Sequence, residues 1–142
     1  MKELKMKKTL IIAALVLSAT TAYAGSKKAD LSKLTAPTEN AGINLEVLAQ
    51  NDLEAQIPAF AGYDIRARKI TFEPGAKLQT HSHAERPGFV YILEGEVVET
   101  RNGKPKVYKA GDVWIEDAET DHWLRNISDK PAQETQSGHL KT

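Results

Sequence analysis

Short runs of alternating hydrophobic and polar residues, separated by turn residues, follow one another through most of the chain. Residues 43–48, 63–72 and 96–101 alternate with a period of two, which places every second side chain on the same face of a β-strand. Pro74-Gly75 and Asn102-Gly103 are typical turn and hairpin sequences between such runs. Strands this short, at this spacing, predict an all-β sandwich or barrel.

The first 24 residues have a different pattern and predict a signal peptide. Four lysines lie among the first eight residues, an apolar run covers residues 10–17, and Ala22-Tyr23-Ala24 provides an A-x-A cleavage site. The apolar run is shorter than the ~20 residues that span a bilayer, which disfavours the alternative of an uncleaved membrane anchor. We therefore expect cleavage after Ala24 and a periplasmic or secreted protein that is free of the membrane.

The charge balance argues against a nucleic-acid-binding protein. The 142 residues include 19 basic and 19 acidic side chains, and loss of residues 1–24 removes four lysines and one glutamate, which leaves a net charge of −3. Proteins that bind nucleic acid carry basic surfaces instead. The chain has no cysteine, so core packing or a metal has to stabilise the exported domain without disulfides.

The strand pattern divides the exported chain into three parts. Residues 25–42 are polar and are interpreted as a flexible leader, and residues 43–130 carry the strand runs and predict a single domain. Residues 131–142 form a polar C-terminal tail without alternating apolar residues, so we expect no ordered strand there.

A missing last strand would leave the barrel with an exposed edge, and such edges pair with another chain or become covered. This predicts a homodimer in which Tyr91, Leu93 and the region near Trp114 form the contact. Two alternatives stay open: the strand at residues 43–48 covers the edge of a monomer, or the reading frame is truncated.

Three of the four histidines predict a metal site. His81 and His83 are spaced i, i+2, so on an extended strand they project from the same face. His122 follows on another predicted strand about 40 residues later. Neutral imidazole is the commonest protein ligand for transition metals, so this arrangement is suited to holding a metal inside a barrel. His139 lies in the polar tail and is interpreted as solvated.

The two histidine segments resemble the two sequence motifs of the cupin family. The first motif is Gly, five residues, His-x-His, three or four residues, Glu, six residues and Gly. The second is Gly, five residues, Pro-x-Gly, two residues, His, three residues and Asn. The matching positions are Gly75, His81, His83, Gly95, Gly111, His122 and Asn126. Gly88 stands in place of the motif glutamate, and Asp117 and Glu119 replace the Pro and Gly of the second motif.

The resemblance implies a cupin jelly-roll β-barrel with a single domain, and a divalent transition metal bound by His81, His83 and His122. The residues do not distinguish Zn, Fe, Mn, Ni and Cu. Without the motif glutamate the ligands carry no charge, so the ion keeps its full +2 charge and favours an anionic ligand. Gly88→Glu is expected to restore the missing carboxylate, and Glu85 is an alternative donor from the adjacent loop.

Arginines near the histidines are candidate substrate contacts. Arg66 and Arg68 alternate in phase with Ile70 and Phe72, so they face the barrel interior if the apolar residues do. Recognition of an anion and surface pairing with carboxylates are equally good interpretations of these two residues. Arg86 in the loop after His83 is a further candidate, together with Glu85.

The favoured function is an exported metal-binding protein that binds or senses a small anionic ligand. The fold alone does not decide this, because it carries many unrelated activities. The alternative is a metal-dependent enzyme of the dioxygenase or isomerase type that acts on a small organic acid or carbonyl compound. Because the sequence contains no clearly placed general base, it leaves open whether the protein is an enzyme.

Overall fold

The computed structural model describes residues 29–141, and the predicted signal peptide lies outside this range. The described chain is built from strands, which confirms the all-β prediction. The strands are β1 Ala41–Asp52, β2 Tyr63–Ser82, β3 Gly88–Glu94, β4 Glu96–Arg101, β5 Lys104–Lys109, β6 Val113–Glu116, β7 Asp121–Arg125 and β8 Ala132–Lys141. Two 3₁₀ turns cover Leu31–Lys33 and Pro58–Phe60. Within residues 29–141, no helix has the length and hydropathy needed to cross a membrane.

The 20-residue strand β2 joins the two halves of the sheet. Its first part pairs with β1 on one side and β8 on the other, and its last part pairs with β7. The sheet continues in the order β5-β4-β7-β2-β8-β3-β6 and curls into a nearly closed barrel. The buried apolar core consists of Ile70, Phe72, Ala76, Val90, Ile92, Val97, Tyr108, Trp114, Leu124 and Ala132.

A bulge in β2 changes which of its side chains face the interior. Ile70 and Phe72 are buried, so even-numbered residues point inward in this part of the strand. The register between β2 and β7 shifts between Leu78 and His81. Beyond the shift the odd-numbered His81 and His83 point inward, because the extra residue exchanges the two faces of the strand.

The prediction that the C-terminal tail lacks a strand is wrong. Residues 132–141 form β8, which lies in the sheet between β2 and β3 and pairs with both. Its inward-facing positions include Ala132, Glu134 and Gln136, which are all buried. Two of these three side chains are polar, so the alternation of buried and exposed positions is invisible in the hydrophobicity of the sequence.

The described part of the leader, from residue 29 to residue 40, is held against the barrel. Pro37 is buried, and Thr35 accepts a hydrogen bond of 2.9 Å from Arg125 Nη2 on β7. Asn40 Oδ1 accepts a hydrogen bond of 2.8 Å from the backbone N–H of Gln79. This part of the segment is therefore docked, in contrast to the flexible leader that its composition suggested.

The residues predicted to form a dimer contact lie in two different environments. Tyr91 and Leu93 are 40% and 44% exposed on the outer face of β3, whereas Trp114 is 5% exposed and packs against Tyr108 in the core. Trp114 is thus unable to form an intermolecular contact. β8 also fills the edge from which the dimer was argued, so a homodimer stays a prediction that depends on the exposed face of β3.

Candidate metal centre

The inward-facing histidines of β2 and β7 come together at one end of the barrel. His122 lies directly opposite His81 in the β2–β7 register, and His83 follows immediately after β2. The Nε2 atom of His122 is 3.1 Å from Nε2 of His81 and 3.2 Å from Nε2 of His83. Among residues 29–141 these three form a group whose ligand atoms all lie within 4.8 Å of one another.

Hydrogen bonds at Nδ1 fix the tautomer of each ring. The contacts are His81 Nδ1 to Gln79 O at 3.0 Å, His83 Nδ1 to Arg86 O at 3.3 Å, and His122 Nδ1 to Glu99 Oε1 at 2.8 Å. Carbonyl and carboxylate oxygens only accept hydrogen bonds, so each Nδ1 carries the proton and each Nε2 presents a lone pair. Three lone pairs that converge without a donor between them fit a bound cation, and imidazole is a transition-metal ligand.

Burial keeps His81 and His83 neutral and ready to bind metal. Removal from water is the largest cause that lowers the pKa of these two residues to about 4, and neighbouring positive charges act in the same direction against a hydrogen bond to a backbone oxygen. Both rings are therefore neutral near pH 7, and neutral imidazole is the form that binds a metal.

Glu99 on β4 holds His122 in place through a hydrogen bond at Nδ1, the ring nitrogen that points away from the other two histidines. Burial works to raise the pKa of Glu99, but hydrogen bonds from His122 and Arg101 outweigh it and hold the pKa below its usual value. The carboxylate is therefore charged, and Arg101 Nε donates to it at 3.0 Å. A carboxylate on the distal nitrogen of a metal-binding histidine fixes the ring and makes it a better donor. Glu99 was not predicted from the sequence, because it lies in an alternating strand, residues 96–101, in which no motif marks it as a site residue.

A second buried carboxylate, Glu116 on β6, lies beside the cluster. Its Oε2 is 3.2 Å from His83 Nδ1 and its Oε1 is 3.6 Å from His122 Nε2. Trp114 Nε1 donates to Oε1 at 3.4 Å, and Gln136 Nε2 on β8 donates to Oε2. Neither Glu116 nor Gln136 is recognisable in the sequence, since each is a polar residue at a position that a hydrophobic pattern assigns to the core.

Three arginines surround a small cavity lined also by Gln136, Gly138, His139 and Leu140. They are Arg66, Arg68 and Arg86. Arg68 donates to Gln136 Oε1, so this cavity is connected through one side chain to Glu116. Burial lowers the pKa of Arg68, and the positive charges of Arg66 and Arg86 lower it further. Within residues 29–141, none of the three forms an ion pair with a carboxylate.

The structure does not bring the remaining candidates into the cluster. The side chain of Glu85 is 76% exposed and pairs with Lys141 at 3.6 Å, so it is not placed as a donor to the histidines. His139 packs against Phe60 with ring centroids 6.0 Å apart and contributes to the arginine cavity instead.

Position 88 has no room for the motif glutamate. A Cβ atom on Gly88 would lie 2.4 Å from the backbone oxygen of Ser137 and 2.9 Å from Gly138 Cα. Gly88 and Gly138 are register partners, and the two strands approach closely because neither residue has a side chain. The expectation that Gly88→Glu restores a carboxylate at the metal is therefore wrong.

The barrel interior contains one further carboxyl group, Glu134 on β8. It is 3% exposed, and its Oε2 atom has no hydrogen-bond partner. Burial, reinforced by the negative charge of Glu116, raises the pKa of Glu134 well above its usual value. Burial therefore favours the protonated, neutral form of Glu134 inside the barrel.

Comparisons with known proteins agree with this architecture. Residues 68–134 match the family model described as the cupin domain. The cupin domain of Cnp3 from Schizosaccharomyces pombe is 14% identical, with a TM-score of 0.56 over 79% of this chain and 67% of that one. A predicted oxalate decarboxylase from Thermotoga maritima is 24% identical, with a TM-score of 0.57 over 78% of this chain and 96% of that one.

A third similar structure, an uncharacterized conserved protein with a double-stranded β-helix domain from Klebsiella pneumoniae, is 17% identical. Its TM-score is 0.56 over 83% of this chain and 93% of that one. No protein of curated function matches the sequence. At these identities the similarity confirms the jelly-roll fold and leaves the activity to be argued from the site.

Proposed function

Since residues 68–134 are a cupin domain, a fold that serves many activities, we propose that the protein binds a divalent transition metal and, through it, a small anionic ligand. The observation that carries the proposal is the convergence of three Nε2 lone pairs from His81, His83 and His122. When bound, such an ion supplies a positive charge and a coordination position open to a ligand oxygen. Elemental analysis of protein from its native compartment identifies the ion.

The arginine cavity supports an anionic ligand. Its three guanidinium groups have no carboxylate partner within residues 29–141, so their charge is available to an incoming anion. Arginine binds carboxylates in a bidentate manner and is always charged. A small carboxylate or enolate is therefore the class of ligand that we propose.

Arg66→Gln is expected to weaken binding of a small dicarboxylate by about tenfold, which corresponds to one charged hydrogen bond. The side chain of Arg66 makes no hydrogen bond or ion pair within residues 29–141, so its replacement removes charge without disturbing a structural contact. Oxalate titrated into the Co²⁺-loaded protein and followed by visible absorption measures the affinity.

The matched control is Lys69→Gln, which removes a cation from the same strand. Lys69 pairs with Glu46 at 2.7 Å, away from the arginine cavity. If oxalate binds equally well to wild type and both variants, Arg66 does not take part in anion binding. Metal content is expected to be unchanged in both.

Export is part of the proposal and is supported by the sequence of residues 1–24. The protein recovered from the periplasm is expected to begin at Gly25 when its N-terminus is sequenced. A soluble protein that retains Met1 would contradict cleavage, and a membrane-bound form that retains Met1 would indicate an anchor.

One observation favours the second candidate function, a metal-dependent enzyme of the dioxygenase or isomerase type. Glu134 places a carboxyl group with a raised pKa and an unpartnered oxygen inside the barrel, and such a group is suited to proton transfer. Assays for turnover of small organic acids and carbonyl compounds by the metal-reconstituted protein distinguish this function from binding alone.

A further inference from the structure

We infer that Glu116 is a fourth protein ligand and replaces, from the neighbouring strand, the carboxylate that the first motif lacks at Gly88. The inference rests on the proposed function, because it concerns a donor to the same metal. It changes the expected ligand set from three neutral histidines to three histidines and one glutamate.

The strand register explains how one position can substitute for the other. Gly88 on β3 and Glu116 on β6 are direct partners, so side chains at the two positions start from the same face of the strand pair. The backbone of β8 excludes a side chain at position 88, as described above. Position 116 has no such restriction, and its side chain is 3% exposed.

One oxygen of the Glu116 carboxylate lies beside the metal-binding nitrogen of His122, and the other lies 3.2 Å from Nδ1 of His83. Glu116 Oε1 lies 3.6 Å from Nε2 of His122, the nitrogen that also contacts Nε2 of His81 and of His83. His122 Nε2 carries a lone pair, because its Nδ1 holds the proton that binds Glu99. A carboxylate oxygen beside the lone pair of His122 Nε2 is unfavourable unless a cation lies between them.

The other contacts of Glu116 do not neutralise its charge. The neighbouring donors Trp114, Gln136 and neutral His83 carry no charge. Arg68 interacts electrostatically with Glu116, but its direct contact is with Gln136. Glu99, which is also buried, differs in having Arg101 as a direct charged partner. A buried carboxylate without a direct charged partner is costly, so a metal ion at the three histidines completes the site.

Anion binding to the Co²⁺-loaded protein distinguishes a Glu116 that coordinates the metal from a Glu116 that only adds negative charge nearby. Glu116→Gln and Glu99→Gln each remove one negative charge beside His122, but Glu116→Gln alone would free a coordination position. We expect azide, titrated into Co²⁺-loaded protein and followed by visible absorption, to bind at least ~10-fold more tightly to Glu116→Gln than to Glu99→Gln. The d–d spectrum of Co²⁺ before azide is added should also change only in Glu116→Gln.

Equal azide affinities and equal spectra in the two variants would overturn the inference, because Glu116 would then act through its charge alone. A crystal structure of the metal-loaded wild type shows, without any variant, whether Glu116 coordinates the metal. Glu116 Oε1 at about 2.0–2.2 Å from the ion supports ligation, and an intervening water refutes it. A wild-type protein that takes up no metal at all would instead overturn the proposed function together with this inference.

Discussion

The His122→Ala protein is expected to purify with less than about one tenth of the metal found in the wild type, when both are loaded identically. Loss of a supporting residue around a metal already costs about 10–100-fold in affinity, and loss of a ligand costs more. His122 should have the largest effect of the three histidines, because its Nε2 contacts the other two and Glu99 fixes its orientation. Metal content per protein is measured by inductively coupled plasma mass spectrometry, with circular dichroism to verify the fold.

His139→Ala is the matched control, since His139 lies outside the cluster and should leave metal content unchanged. His81→Ala and His83→Ala are expected to lose metal as well. Wild-type metal content in all three cluster variants would refute the site.

Deletion of residues 132–142 is expected to abolish folding. β8 pairs with β2 along its whole length and with β3 along much of it, so its removal leaves each of these strands unpaired along one edge in the centre of the sheet. The total stability of a domain is only about 5–15 kcal/mol, which the loss of a central strand exceeds. The truncated protein should be insoluble or show no cooperative thermal transition. A melting temperature close to that of the full chain would contradict the central position of β8.

A proline substitution applies the same test without removing residues. Thr135 pairs with Lys69 on one side and Tyr91 on the other, so Thr135→Pro interrupts a central ladder. The expected loss is roughly 2–4 kcal/mol of unfolding free energy, from a missing hydrogen bond and an unpaired carbonyl. Leu48→Pro is the control, because Leu48 is 50% exposed and lies at the irregularity in the β1–β2 register. Urea denaturation should separate the two variants clearly.

The sequence predicted the histidine cluster better than the side chains around it. His81 and His83 are identified by a spacing that an extended strand converts directly into a shared face. Glu99, Glu116 and Gln136 were missed, because hydrophobic alternation assigns buried positions to apolar residues and these three are polar. Only the assembled barrel shows that Glu99 and Glu116 contact the histidines and that Gln136 contacts Glu116.

The same limitation explains the error at the C-terminus. β8 contributes Glu134 and Gln136 to the interior, and a strand whose inner face is polar has no hydrophobic pattern.

The prediction for position 88 was wrong for a different reason. A motif position specifies where a residue falls in the chain, whereas the available space depends on the backbone of Ser137 and Gly138, which lie far away in sequence.

Because of the bulge in β2, the number of residues between Phe72 and His81 determines which side chains point into the barrel. Arg68 and Phe72 are even-numbered, whereas His81 and His83 are odd-numbered. All four point toward the interior, because one extra residue lies in β2 between the two pairs. A related chain that loses or gains a single residue between positions 72 and 81 would keep every histidine in its sequence and turn both away from the barrel. Whether such a relative retains the site is therefore a question of segment length as well as of residue identity.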